Sequence, residues 1–237
     1  MEKNKNSFKD MKVIFFDAGP IISLVMSRMW WILPKLKEKF GGKFYITPAV
    51  HFELIDRPLQ TKRFAFEALQ VMKLIREGTL EVYDNVPEKK VKELIRIANS
   101  TFKIKNKSMD IIQEGEMQSV ASALELNAPV VMDERTLRLF IENGKEMTSL
   151  LEHRFHNTIT ADNVKVNLFA QMLQDVTIIR SIELVSIAYK IGLMNLYIPA
   201  KKNGRSLLID SILWAVKFNG CAVTEHEIEE IKGVLLE

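Results

Sequence analysis

Cysteine is almost absent: Cys221 is the single one in 237 residues. One thiol makes no internal disulfide and builds neither a multi-thiolate zinc site nor an iron–sulfur cluster. Such a chain suits a reducing cytoplasm. Long apolar runs are missing too. The best stretch, Pro20 to Leu33, carries Arg28 and falls short of the ~18–20 residues of a membrane span. No membrane segment is therefore expected. Asp17, with Glu2 and Asp10 ahead of it, argues against a secretory signal. Neither sign of charge dominates, since 33 basic and 30 acidic residues leave a net +3. That balance is compatible with a nucleic-acid partner only if the positive residues cluster. No GxxxxGK[ST] or GxGxxG is found, so a glycine-rich nucleotide cradle is unsupported.

What is present is core material. The chain is 47% hydrophobic and 27% charged, which excludes intrinsic disorder and supplies a buried interior. Val13-Ile14-Phe15-Phe16 is a short apolar run that stops at Asp17, bounded by Gly19 and Pro20, and predicts a strand buried on both faces. A helix from Pro20 comes next. Phe44 to Thr47 predicts a second strand and Pro48 opens a helix holding His51 and Glu53. Periodicity from Leu59 to Arg76 predicts one long helix, Leu80 to Tyr83 a third strand, and Pro87 to Asn99 an amphipathic helix. Ser100 to Ser108 has little periodicity and reads as a loop. A helix over 115–126 leads into Val130-Val131-Met132, a strand ending at Asp133, which repeats the pattern of Phe16-Asp17.

The remainder predicts a polar helical stretch over 143–174 with Thr148 and Asp162 as candidate caps, and a fifth strand at 176–179. Helices over 182–192 and 206–218 come after it. A last one is capped by Thr224 and Glu227 at capping-box spacing. Strands separated by helices specify an α/β class, with a parallel sheet of about five strands and helices on both faces. The expected organisation is a single domain over 1–237 with a helical insertion at about 143–174.

Ligands of open α/β sheets bind outside the carboxyl ends of the strands. Asp17 and Asp133 stand at such ends, Glu53 early in the helix after the second strand, and Glu116 in the first turn of the helix before the fourth. Acids at helix starts also have a plain explanation in capping and dipole complementarity. Four converging carboxylates, though, would repel by about 4 kcal/mol per pair at ~4 Å. A hard divalent cation relieves this, and oxygen-only ligands favour Mg²⁺ or Mn²⁺. Such an ion activates water and shields a phosphodiester undergoing hydrolysis.

Four blocks carry a family resemblance: Val13 to Ile22, Thr47 to Leu54, Gly115 to Ala121 and Val130 to Glu134. In order and spacing they resemble a PIN domain, and the three closing helices are similar to those of PIN-like proteins allied to toxin–antitoxin ribonucleases. The resemblance implies a metal-dependent ribonuclease acting on RNA, with Asp17, Glu53, Glu116 and Asp133 as catalytic acids and ligands to Mg²⁺ or Mn²⁺. Glu134 is a possible accessory acid. It also implies a homodimer, with a protein partner or antitoxin as a further candidate. Two positions depart from the pattern. Met132 stands where a small hydroxyl residue is common, and Asp133-Glu134 replaces a double aspartate. A catalytically degenerate RNA- or protein-binding module is thus the alternative.

Other signals weigh less. A haloacid-type phosphatase needs a second aspartate where Gly19 stands. His153 and His156 have metal-pair spacing but lie in a polar stretch without HExxH, and His51 reads as a capping residue. Lys103, Lys105 and Lys107, just ahead of Glu116, are the candidate RNA-backbone contacts among four basic groups.

Overall fold

The computed structural model describes residues 12–142 and 144–237. In chain order it runs β1 (Val13–Phe16), α1 (Ala18–Met26), α2 (Ile32–Phe40), β2 (Lys43–Ile46) and α3 (Pro48–His51). A π-helical turn at Phe52–Asp56 joins α3 to α4 (Arg57–Thr61). Then come α5 (Ala65–Arg76), β3 (Glu81–Val82), α6 (Glu88–Asn99), β4 (Phe102–Ile104), β5 (Lys107–Ser108), α7 (Glu114–Leu126) and β6 (Val130–Val131). The rest is α8 (Arg135–Glu142), α9 (Gly144–Phe155), β7 (Ile159–Ala161), α10 (Asn163–Leu173), β8 (Ile178–Ile179), α11 (Ser181–Lys190), α12 (Gly204–Phe218) and α13 (Glu225–Leu236).

Five strands form one all-parallel sheet in the order β3-β2-β1-β6-β8. Alternation along β1 splits the interior in two. Ile14 and Phe16 join a core with α1, α2, α5, α11 and α12. Val13 and Phe15 face the opposite way, onto α6, α7, α8 and α10. Helices thus cover both faces, the arrangement a sheet of continuous apolar strands requires. The chain leaves β1 toward β2 and β3 on one side and later returns through β6 to β8 on the other. The β1–β6 boundary is therefore the topological switch point, where parallel sheets leave a crevice at their carboxyl ends. No helix among the described residues is long and apolar enough to cross a membrane.

The structure corrects several local expectations. Residues 100–108 are not an open loop. β4 and β5 form an antiparallel hairpin whose turn residues Lys105 and Asn106 both have positive φ, 48° and 63°. That geometry matches the primed hairpin turns, but Lys-Asn lacks the Asn-Gly signal that announces them. The long helix over 59–76 breaks at Lys62 and Phe64, both left-handed, so an apolar periodicity spans two helices. Thr148 lies within α9 rather than at a cap, whereas Asp162 does cap α10 by accepting from the Val164 and Lys165 amides. The stretch around 143–174 is mostly helical but also contains β7, which pairs with β4 in a second, three-stranded sheet. Residue 143 itself lies outside the described residues.

Candidate functional site

Asp17 comes directly after β1, and its amide donates to the Val131 carbonyl at 2.9 Å, which pins the end of β1 beside β6. Its side chain caps α1 by accepting from the Gly19 amide at 3.3 Å. The carboxyl is pushed up to about 7, chiefly by burial. Backbone hydrogen bonds from Gly19 and Ala18 pull it back, while the charges of Glu53 and Asp133 raise it further. The capping role and the electrostatic role coexist in one side chain.

Glu53 stands on the π-helical turn. Such turns insert a residue into a helix, which rotates the next turn of side chains about the axis, and they concentrate at functional sites. Its carboxyl is raised, mainly by burial, with Arg57 pulling the other way. The α7 N-terminus closes in from the side. A methyl group on Gly115 would sit 3.6 Å from Glu53 Oε2, an ordinary contact distance that places the start of α7 against the Glu53 carboxyl. One residue on, Glu116 accepts from the Gln113 amide at 3.0 Å and caps α7. Burial pushes Glu116 up to about 8, partly offset by that hydrogen bond, and the charges of Asp17, Glu134 and Glu53 add to it.

Asp17, Glu53 and Glu116 therefore lie within one another's field, with Asp133 acting on Asp17 and Glu134 on Glu116. The groups acting most strongly on Asp17 and Glu116 include no cation. Even so, the described residues contain no group of three or more His, Cys, Asp or Glu side chains disposed to hold a metal ion. The acids converge on one edge without forming a closed ligand set. No family model, curated protein or solved structure matches this chain.

Asp133 differs from the other three. It is 3% exposed, and its oxygens accept from the Ser181 amide at 2.7 Å, Ser181 Oγ at 2.7 Å and Ser23 Oγ at 2.8 Å. Glu134 is exposed and accepts from the Thr136 amide at 3.0 Å.

Lys103, Lys105 and Lys107 are exposed on the β4–β5 hairpin, from which Met109 to Gln113 leads straight into α7 and Glu116. His51 Nδ1 pairs with Asp56 Oδ2 at 3.1 Å, which gives it a local role on the π-helical turn. His153 and His156 are both exposed, with ring centroids 6.2 Å apart.

Two flanking features were not legible in the sequence. An apolar groove of about 450 Å³ runs from Glu53 past Ile22, Met26, Phe64 and Phe218. On the other side, Arg135, Arg138 and Lys217 line a cleft of about 800 Å³, where Arg135 pairs with Glu146 at 2.9 Å. Their residues come from elements distant in sequence, so no local pattern announces either one.

Proposed function

We propose that the chain is a metal-dependent ribonuclease that hydrolyses RNA phosphodiester bonds at the switch-point acids. The observation that carries the reading is the electrostatic convergence of Asp17, Glu53 and Glu116: Asp17 and Glu116 are pushed up to about 7 and 8 with no cation among the strongest influences on either, and only Glu53 feels one, Arg57. A buried carboxylate without a counter-ion costs folding free energy, and natural chains retain such costs chiefly at functional sites. All the donors are carboxylate oxygens, with neither His nor Cys among them, and that chemistry fits Mg²⁺ or Mn²⁺. Asp17, Glu53 and Glu116, with an acid from the corner after β6, would hold the ion. When bound, it supplies an acidified water and shielding of the developing phosphate charge.

The residues of the chain have distinct parts in this. Asp17 is fixed by its own cap on α1, so its free lone pairs keep their direction. Glu116 is fixed likewise by Gln113. Glu53 is carried on the π-helical turn, with its carboxyl against Gly115 at the start of α7. Arg57, beside Glu53, offers a cation to a phosphate oxygen, and the exposed lysines of the β4–β5 hairpin offer others without reading sequence.

Cleavage of a fluorophore-labelled single-stranded RNA in Mn²⁺ tests the reading. Asp17→Asn keeps an acceptor for Gly19 and removes the buried charge. Cleavage is expected to disappear while the unfolding temperature holds or rises. Undiminished cleavage by Asp17→Asn would overturn the assignment. A second reading, a binding module that does not cut, is favoured by the open apolar groove beside Glu53. It predicts retained RNA or partner binding with no heat of Mn²⁺ association.

A further inference from the structure

The apolar groove beside Glu53 has a polarity of its own. Aliphatic side chains of α1 and α5 line it, and among the described residues its only charged lining groups are two acids, Glu53 and Glu67. Glu67 is half-buried and makes neither a hydrogen bond nor an ion pair with any described residue. Its place in the first turn of α5 suits the helix dipole, but that role needs no groove in front of it. Two aromatic rings complete the lining. Phe218, at the end of α12, is 77% exposed, and Phe64, just before α5, is 44% exposed. Phe64 holds a left-handed backbone at φ 63°, which a bulky residue adopts only at a cost.

These features describe an occupant. At about 450 Å³ the groove is of small-ligand size. Two carboxylates without a cation repel a phosphate and call for N–H donors, while the aromatic and aliphatic walls call for flat apolar faces. A nucleobase has both. Glu53 also lines a second pocket of about 410 Å³, where Arg57 stands. A ligand spanning Glu53 therefore meets acids and aromatic rings on one side and a cation on the other. A single RNA strand matches that alternation with a base and its neighbouring phosphate. A basic protein segment would satisfy the acids but set its charge against Arg57.

On the reading that the chain acts on RNA, we propose that this groove is a base-binding subsite for one unstacked guanine, stacked on Phe218 and Phe64 with its Watson–Crick edge on Glu67. Guanine is the base that presents two adjacent N–H donors on that edge, and a carboxylate offers two acceptors to match. Adenine and cytosine place an acceptor beside their donor, and uracil flanks its one N–H with two carbonyls. Each of these sets a lone pair against a carboxylate oxygen.

Fluorescence anisotropy of the full chain with the labelled pentaribonucleotides UUGUU, UUAUU, UUCUU and UUUUU tests the subsite, in EDTA so that no cleavage intervenes. UUGUU is expected to bind about tenfold tighter than the other three. Glu67→Gln should bring UUGUU to their level. Phe218→Ala should weaken all four by about fivefold or more, because stacking is tolerant of sequence. The inference is overturned if the parent binds the four alike or binds none, if the guanine preference survives Glu67→Gln, or if Phe218→Ala binds as the parent does. It is also overturned if sedimentation shows a dimer that Phe218→Ala dissociates, since a second copy then covers the groove. Cleavage in Mn²⁺ is read separately. A guanine preference in EDTA without cleavage would keep the subsite and sink the nuclease reading, and cleavage without the preference would do the reverse.

Discussion

At Asp17 and Glu116, local structure and site chemistry pull against each other. Each side chain caps a helix, which favours the ionised form, and each is buried among other acids, which disfavours it. Burial wins, and the consequence for stability has a definite sign. Both carboxyls are raised from ordinary values of 3.8 and 4.5 to about 7 and about 8. Between those limits the folded chain holds protons that the unfolded chain has released. Stability is therefore greatest on the acidic side of the window and falls as pH rises, by about 1.4 kcal/mol per pH unit for each retained proton. Glu227 behaves oppositely. Hydrogen bonds from Thr224 and Arg180 hold it down at about 2 against the pull of burial, so it weakens the fold only in more acidic solution. In metal-free buffer the unfolding temperature should be lower at pH 8 than at pH 5.5. Glu116→Gln should flatten that slope, and a flat profile in the parent would show that these acids ionise freely.

Among the elements, the C-terminal helix α13 is the most readable. Thr224 and Glu227 announce its start in the sequence, and the structure closes the box. The Glu227 amide donates to Thr224 Oγ1 at 3.2 Å, and the Thr224 amide donates to Glu227 Oε2 at 2.8 Å. Glu227 Oε1 then accepts from Arg180 at 2.7 Å, which binds α13 to the start of α11. Thr224→Ala removes the cap and should cost about 1 kcal/mol, read as a lower denaturant midpoint at unchanged slope. Elsewhere the same kind of reasoning succeeds only where a local signal exists. The end of β1 at Asp17 was legible because an apolar run meets an acid and a Gly-Pro pair. That β1 and β6 run parallel, so that Asp17 and Asp133 follow strands ending on the same edge, was legible because strands separated by helices share a direction. The π-helical turn under Glu53 was not, since it has the same apolar spacing as an ordinary helix. Nor was the difference between Asp133 and Glu134, which depends on Ser23 and Ser181, respectively 110 and 48 residues away.

For the whole molecule, the question is whether residues 144–173 form an appendage or part of the main body. A polar stretch between two strands reads as an insertion, yet its apolar residues are shared. Phe169 is fully buried and stacks on Phe140 with ring centroids 4.3 Å apart, and Phe140 in turn packs edge-on against Phe102 of β4. These rings belong to the core that holds Val13 and Phe15 of β1, and β7 pairs with β4. The opposite core receives Ile14 and Phe16 from the same strand, and Trp30, Trp31 and Trp214 pack against it. Since β1 belongs to both cores, loss on one face must be felt on the other. Phe169→Ala should destabilise the fold by about 3–5 kcal/mol, and it should do so as one transition. Tryptophan fluorescence, which reports the far face, is expected to shift with far-ultraviolet circular dichroism to the same lower midpoint. A fluorescence midpoint left at the parental value, with dichroism alone moving, would mark 144–173 as a separately melting unit and detach it from the sheet that carries Asp17.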